Sequence, residues 1–250
     1  MCDVCTTVSR RFFCGGALTL PLSRIARGQA PTAGLLEPQL RLTNTNSPPN
    51  SRTVALTFDA CPGHFDHRIA DTLVRYNIPA TIFVTGLWLR GNPQGLAYLL
   101  ARPDIFTLEN HGAQHLPPIL GGGKIFGLTS AGTPAAIRAE VQNGAAAITA
   151  ATGRAPGWYR GAAAIYSPQA IPLIEALGFG IGGYSLSADA GASLPHNVVA
   201  QRMENARDGD VIIGHINQPK RDSGAGIAAG LVALHNSGTR FVRLNELTRT

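Results

Sequence analysis

Apolar and polar positions along this chain switch repeatedly between two periods. From Thr53 to Phe58 the run T-V-A-L-T-F is continuously apolar or β-branched and predicts a buried strand that ends on Asp59. The period then changes. Ile69, Leu73 and Tyr76 fall on one side of a helix over 68–76, and Pro79 ends it before a second strand over 80–85. A helix over 93–100 and a strand over 105–108 follow, the latter running out into Glu109, Asn110 and His111. A long helix over 134–149 opens with Thr133 as its cap and Pro134 in its first position. Residues 154–160 read as a poor strand or loop, 168–177 as a helix closed by Gly178, and 180–184 as a glycine-rich strand. A helix over 197–206 leads to the turn Asp208-Gly209, a strand over 211–213 stops at His215, and a helix over 226–236 precedes a last strand over 241–244. No two runs carry a convincing hairpin signal. Strands alternating with helices predict an α/β fold with a parallel sheet. Asp59, His111, Arg160, Asp189 and His215 each stand just past a strand, and a parallel sheet or barrel would gather them on one face.

Charge changes this picture little. The formal net charge is +6, but four basic residues, Arg10, Arg11, Arg24 and Arg27, lie within the first thirty positions. The rest carries no Lys/Arg block with aromatic residues beside it, which argues against nucleic-acid binding. At the N-terminus, Ser9-Arg10-Arg11-Phe12-Phe13 precedes a mildly apolar stretch from Cys14 to Leu22, and small residues reach Ala30. This reads as a twin-arginine export signal over 1–30, cleaved after Ala30, with a periplasmic or secreted destination. Residues 31–51 are rich in Pro, Thr, Asn and Ser and read as an irregular arm or linker before one domain over 52–250. No stretch is long and apolar enough to predict a membrane span. Cys2, Cys5 and Cys14 would leave with the signal; Cys61 would remain alone, a soft candidate ligand for which a small buried apolar role is the better reading.

Candidate chemistry gathers at the strand ends. His111 and His115 in N-H-G-A-Q-H are spaced to face one way on a helical turn and to bind one divalent ion, although a solvated loop before Pro117-Pro118 would also carry such a pair. A buried carboxylate at Asp59 costs several kcal/mol unless paired, and the forked guanidinium of Arg160 is a suitable partner. His215 ends an apolar strand, as a core histidine or as an acid–base group that Asp189 orients. His64 and His67 flank Asp66, and any of the three could reach a metal.

Thr57-Phe58-Asp59, Asn110-His111-x-x-x-His115, Arg160, Asp189 and Val211-Ile212-Ile213-Gly214-His215 follow one another as in the polysaccharide deacetylase family, the NodB-homology or carbohydrate esterase family 4 type. Ile78-Pro79-Ala80-Thr81-Ile82-Phe83-Val84-Thr85-Gly86 also resembles a phrase of that family, and the likeness spans roughly residues 52–247. The resemblance implies a distorted parallel (β/α) barrel of about seven strands and metal-dependent removal of acetyl groups from an acetylated polysaccharide or peptidoglycan sugar. It implies Asp59 as general base, His111 and His115 as ligands of a divalent ion (zinc first among candidates), Arg160 as the residue positioning the base, Asp189 as the acid tuning His215, and His215 as general acid.

The chain departs from the pattern at Ala60, where the family's first motif has a second acid that binds the metal; here it reads Thr-Phe-Asp-Ala-Cys. Three outcomes are open. Asp66 folds back past Pro62-Gly63 to supply the oxygen, with His64 a further candidate; Asp59 itself becomes the ligand; or the site holds metal weakly and is inactive. Gly161-Ala162-Ala163 and Gly214 replace bulkier residues, which predicts a roomier acyl pocket. Hydrolysis of another amide or ureide bond, or glycan binding without catalysis, are the competing functions. Neither the glycan nor an oligomeric state is legible.

Overall fold

The computed structural model describes residues 34–43, 45, 47, 48 and 51–246. The signal-like residues 1–30, with Cys2, Cys5 and Cys14, lie outside them. In chain order the elements are β1 (Thr53–Ala60), α1 (His67–Arg75), β2 (Ala80–Val84), α2 (Gly86–Gly91), α3 (Pro93–Leu100), β3 (Phe106–Asn110), β4 (Lys124–Ile125), β5 (Leu128–Thr129), α4 (Pro134–Thr152), β6 (Trp158–Tyr159), α5 (Ala170–Glu175), β7 (Gly180–Ile181), β8 (Leu186–Ser187), α6 (His196–Glu204), β9 (Val211–His215), α7 (Ser223–Asn236) and β10 (Arg240–Val242).

The expected fold is found: a distorted, partly curled parallel barrel whose strands run β7-β6-β3-β2-β1-β9-β8. β1 is central. β9 lies along one side of it; on the other, β10 pairs with Thr53–Ala55 and β2 with Thr57–Ala60. No ladder joins β7 to β8 among the described residues. The arm over 34–43 crosses that region, bridging Leu36 to Tyr166, Gln39 to Tyr184 and Arg41 to Asp210.

Strand parity divides β1 into two faces. Val54, Leu56, Phe58 and Ala60 join the largest apolar cluster with Ile69 and Leu73 of α1 and Leu231 and Leu234 of α7. Each of the larger side chains among these, fully buried, contributes about 1.5–3 kcal/mol. Thr57 and Asp59 face the other way, where Arg160 meets them. Three predictions of detail change. A short antiparallel hairpin does exist, β4–β5, because Phe126 and Gly127 both adopt the positive φ that a two-residue turn requires (49° and 82°). The strand expected over 180–184 shrinks to two residues, since the carbonyls of Gly182 and Gly183 turn to accept hydrogen bonds from Arg160. And α2 fills the stretch between the strand over 80–85 and the helix over 93–100, where no element was predicted, capped by the Thr85 hydroxyl on the Trp88 N–H.

Candidate active site

Asp59 stands at the end of β1, only 3% exposed. Arg160 leaves the end of β6 fully buried and commits four of its five N–H donors. Nη1 donates to Asp59 Oδ1 at 2.8 Å, Nη2 to Thr57 Oγ1 at 2.9 Å and Gly183 O at 3.1 Å, and Nε to Gly182 O at 2.7 Å. Its guanidinium carbon lies 4.2 Å from the Phe83 ring centre. Burial pushes the Asp59 carboxyl up, but Arg160, His111 and His215 outweigh it, and the group is held below the ordinary carboxylate range.

His111 follows the last residue of β3. Its Nδ1 is 2.7 Å from the Arg160 carbonyl, which can only accept, so Nδ1 carries a proton and Nε2 is the nitrogen turned toward the other donors. Nε2 lies 3.4 Å from Cys61 Sγ and 3.7 Å from Asp59 Oδ2. The rings of His111 and His115 are 4.9 Å apart. His115 Nε2 is buried and has no hydrogen-bond partner among the described residues. One donor atom from each of Cys61, His111 and His115 lies within 4.8 Å of the others. Burial alone would push the Cys61 thiol up; the imidazoles around it pull it well below its ordinary value. A cysteine sulfur, an imidazole oriented by the Arg160 carbonyl and an orphaned imidazole nitrogen form a donor set that suits a divalent ion.

The predicted position of Asp66 is corrected. Asp66 does not fold back to the histidine pair. It caps α1, taking the Arg68 N–H at 3.1 Å, and both its oxygens are held by the Arg68 guanidinium, at 2.9 and 2.6 Å. His64 is exposed and outside the donor group. Cys61 has the place instead. It is two residues past Asp59, hence on the same strand face, whereas Ala60 points into the apolar core.

His215 ends β9 directly opposite Asp59 in register. Asp189, fully buried, accepts the His215 backbone N–H at 2.8 Å and lies 2.9 Å from Nδ1, which leaves the other ring nitrogen free to work. Burial disfavours the imidazolium, yet Asp189 and Cys61 outweigh it and hold His215 well above its ordinary value. Asp59, Cys61, His115 and His215 line a cavity of about 850 Å³, with Phe126 of the hairpin and Glu37 of the arm also on its wall.

Only part of the expected extra room exists. A side chain at Gly214 would meet Ile227 and Phe58 at 3.1 Å, so that position faces the core, and Pro118 already fills the space at Gly161. Ala163 and Ala164 do line the cavity, both with positive φ. Sequence reasoning weighed Cys61 as a soft ligand but preferred an apolar role for it, and it missed Glu140. Cys61 was legible from strand parity. Glu140 shares the buried stripe of α4 with Ile137, Val141, Gly144 and Ile148, and an acid in such a stripe is itself the signal.

Residues 46–182 match the family model described as polysaccharide deacetylase. No curated protein matches the chain in sequence. Among solved structures, a peptidoglycan deacetylase from Bacillus subtilis is similar over 80% of this chain and 91% of its own, with 21% identity and a TM-score of 0.64. A family 4 carbohydrate esterase from Streptomyces lividans, in complex with acetate, matches over 76% and 91% with 19% identity and a TM-score of 0.60. A carbohydrate esterase family 4 pseudoenzyme from Bacillus anthracis matches over 80% of this chain and 66% of its own, with 20% identity and a TM-score of 0.63.

Proposed function

The chain belongs to the polysaccharide deacetylase family, and we propose that it is a metal-dependent hydrolase that removes acetyl groups from an acetylated glycan through a Cys/His/His variant of the family's metal site. Cys61, His111 and His115 would hold the ion, and their sulfur and nitrogen donors favour zinc. When bound, the ion would polarise the acyl carbonyl and make a nearby water more acidic.

The remaining work falls to this chain's own residues. Asp59 Oδ1 is taken by Arg160, so Oδ2 is the atom that accepts a proton from the attacking water. The same guanidinium keeps the carboxylate ionised at neutral pH. His215, charged by Asp189, gives a proton to the departing sugar nitrogen or oxygen. The proton gained at Asp59 and that lost at His215 exchange with solvent, which restores both groups.

One observation carries this reading. Two opposed proton-transfer pairs, Asp59–Arg160 and His215–Asp189, flank one cluster of three metal-type donors. Acetate release from acetylated oligosaccharides by zinc-loaded protein tests it. Wild type is expected to turn over, with Asp59→Asn and His215→Ala each slower by about 10²–10⁴-fold. Tight metal uptake without acetate release from any glycan would reject the deacetylase reading in favour of another amide or ureide substrate, and neither metal uptake nor acetate release would favour a non-catalytic glycan binder. The twin-arginine reading of residues 10 and 11 completes the proposal, since an exported enzyme meets wall and secreted glycans directly.

A further inference from the structure

We propose that Glu140 is a positioning residue for the metal: its carboxylate occupies the space left by Gly112 and clasps the backbone of the His111–His115 loop so that His115 faces the other donors. The inference rests on the reading that Cys61, His111 and His115 hold a divalent ion.

Glu140 lies in the middle of α4 and is only 4% exposed. No ion pair involving it is found among the described residues. Its partners are backbone N–H groups of one loop instead. Gln114 N donates to Oε1 at 2.9 Å and to Oε2 at 3.0 Å, and Leu116 N donates to Oε1 at 3.1 Å. The Glu140 carbonyl also accepts the Ala113 N–H at 3.1 Å. The loop therefore closes around the acid much as a backbone nest closes around an anion. Helix packing alone would be served by leucine at this place, since a buried carboxylate is costly unless its hydrogen bonds are made.

Two backbone features show what the clasp holds. His115 adopts φ +63°, a left-handed conformation that costs a histidine free energy and persists only where its surroundings impose it. Gly112 adopts φ +87°, and a Cβ there would stand 2.2 Å from Glu140 Oε1 and 3.0 Å from its carboxyl carbon. Glycine at 112 and the acid at 140 are thus one device, in which the missing side chain makes room for the carboxylate that fixes the turn. The turn in turn presents His115 Nε2, buried and unpartnered, toward His111 and Cys61.

The test is competitive titration of Zn²⁺ and Co²⁺ into the full chain and its Glu140→Gln variant. Glutamine keeps the size of the side chain but turns an NH₂ group toward N–H donors. Its affinity is expected to fall by about 10- to 100-fold, the usual effect of losing a group that orients a ligand. The visible absorption of the cobalt form should change as well, because one imidazole leaves its place. Glu140→Asp, which keeps the charge on a shorter stem, should fall between the two. An affinity within threefold of wild type and an unchanged cobalt spectrum would overturn the inference; if Glu140→Gln does not fold, the same criterion applies to Glu140→Asp. Wild type that takes up neither ion would instead overturn the metal reading, and this inference with it.

Discussion

At the end of β1, Asp59 and, one residue past the strand, Cys61 face the cavity, while Ala60 turns the other way, into the apolar cluster around Phe58 and Val84. A carboxylate restored at position 60 would therefore be buried among hydrocarbon with no cation to meet it. Ala60→Asp is expected to destabilise the fold by roughly 3–5 kcal/mol, the range for an uncompensated buried charge, and to leave metal affinity no tighter than in wild type; calorimetric unfolding and metal titration check the two halves. Cys61→Ala should abolish tight binding while leaving the unfolding temperature of the metal-free protein within a few degrees of wild type. Unaltered affinity in that variant would exclude the thiolate as a ligand. Asp189 supports a pH prediction. It holds His215 protonated well above the ordinary imidazole range, so the pair stabilises the fold fully below that range, and the contribution fades as pH rises through the raised value. Catalysis needs the same protonated form. The alkaline limb of kcat/KM should lie above about pH 6.5 and move downward in Asp189→Asn; the acid limb, set by Asp59, should stay below its ordinary range in both proteins. An alkaline limb that does not move would mean another group is the acid.

Between elements, the contact of α4 with the end of β3 decides where the histidine loop sits. Asn110 Nδ2 donates to the Val141 carbonyl at 2.8 Å, and its Oδ1 accepts the Gly112 N–H at 2.9 Å. Gly144 lets the two elements approach: a Cβ there would lie 2.3 Å from Asn110 Oδ1 and 2.8 Å from the Gly112 carbonyl carbon. Gly144→Ala gains up to about 1 kcal/mol of helix propensity against about 1–3 kcal/mol for overpacking. The expected result is a lower unfolding temperature together with weaker metal binding, the second because α4 also carries Glu140. Gly153→Ala, at the left-handed end of the same helix with open space around it, should lower stability without touching the metal. The alternation of periods made most long elements legible, and the polar residues at strand ends led to Asp59, His111, Arg160, Asp189 and His215. What escaped was long-range. Asp66 looked available until Arg68 claimed it, and Gly214 looked like a widened pocket until parity turned it toward Phe58. Glu140 was not singled out: its place in the buried stripe of α4 was legible, but the loop two dozen residues earlier in the chain that supplies its hydrogen bonds was not.

At the scale of the whole molecule, net charge and the charge of the cavity point in opposite directions. The chain is formally +6, yet among the described residues no lysine or arginine lines the cavity. Arg160 lies behind the wall, fully buried and committed to Asp59. At the mouth stands Glu37, carried by the arm that bridges to Tyr166, Tyr184 and Asp210, and its carboxylate accepts the Tyr184 hydroxyl. Phe126, at the tip of the hairpin and 57% exposed, offers an aromatic face on the same cavity. An acidic mouth beside an open ring suits an uncharged or amine-bearing sugar, and it disfavours one that carries a carboxylate. A like-charge pair near a wet surface costs on the order of 1 kcal/mol, which is about a fivefold effect. We therefore expect kcat/KM for neutral acetylated oligosaccharides to exceed that for uronate-bearing ones of equal length by about fivefold or more at low salt. Glu37→Gln should shrink this ratio toward one without lowering the rate on the neutral substrate, and added salt should shrink it in wild type as well, since the pair is exposed to solvent. Phe126→Ala should raise KM on both substrates and leave their ratio unchanged, because stacking does not read charge. If uronate-bearing substrates are preferred, or the ratio is indifferent to both Glu37 and salt, then the arm has no part in choosing the substrate and its role is confined to covering the stretch between β7 and β8.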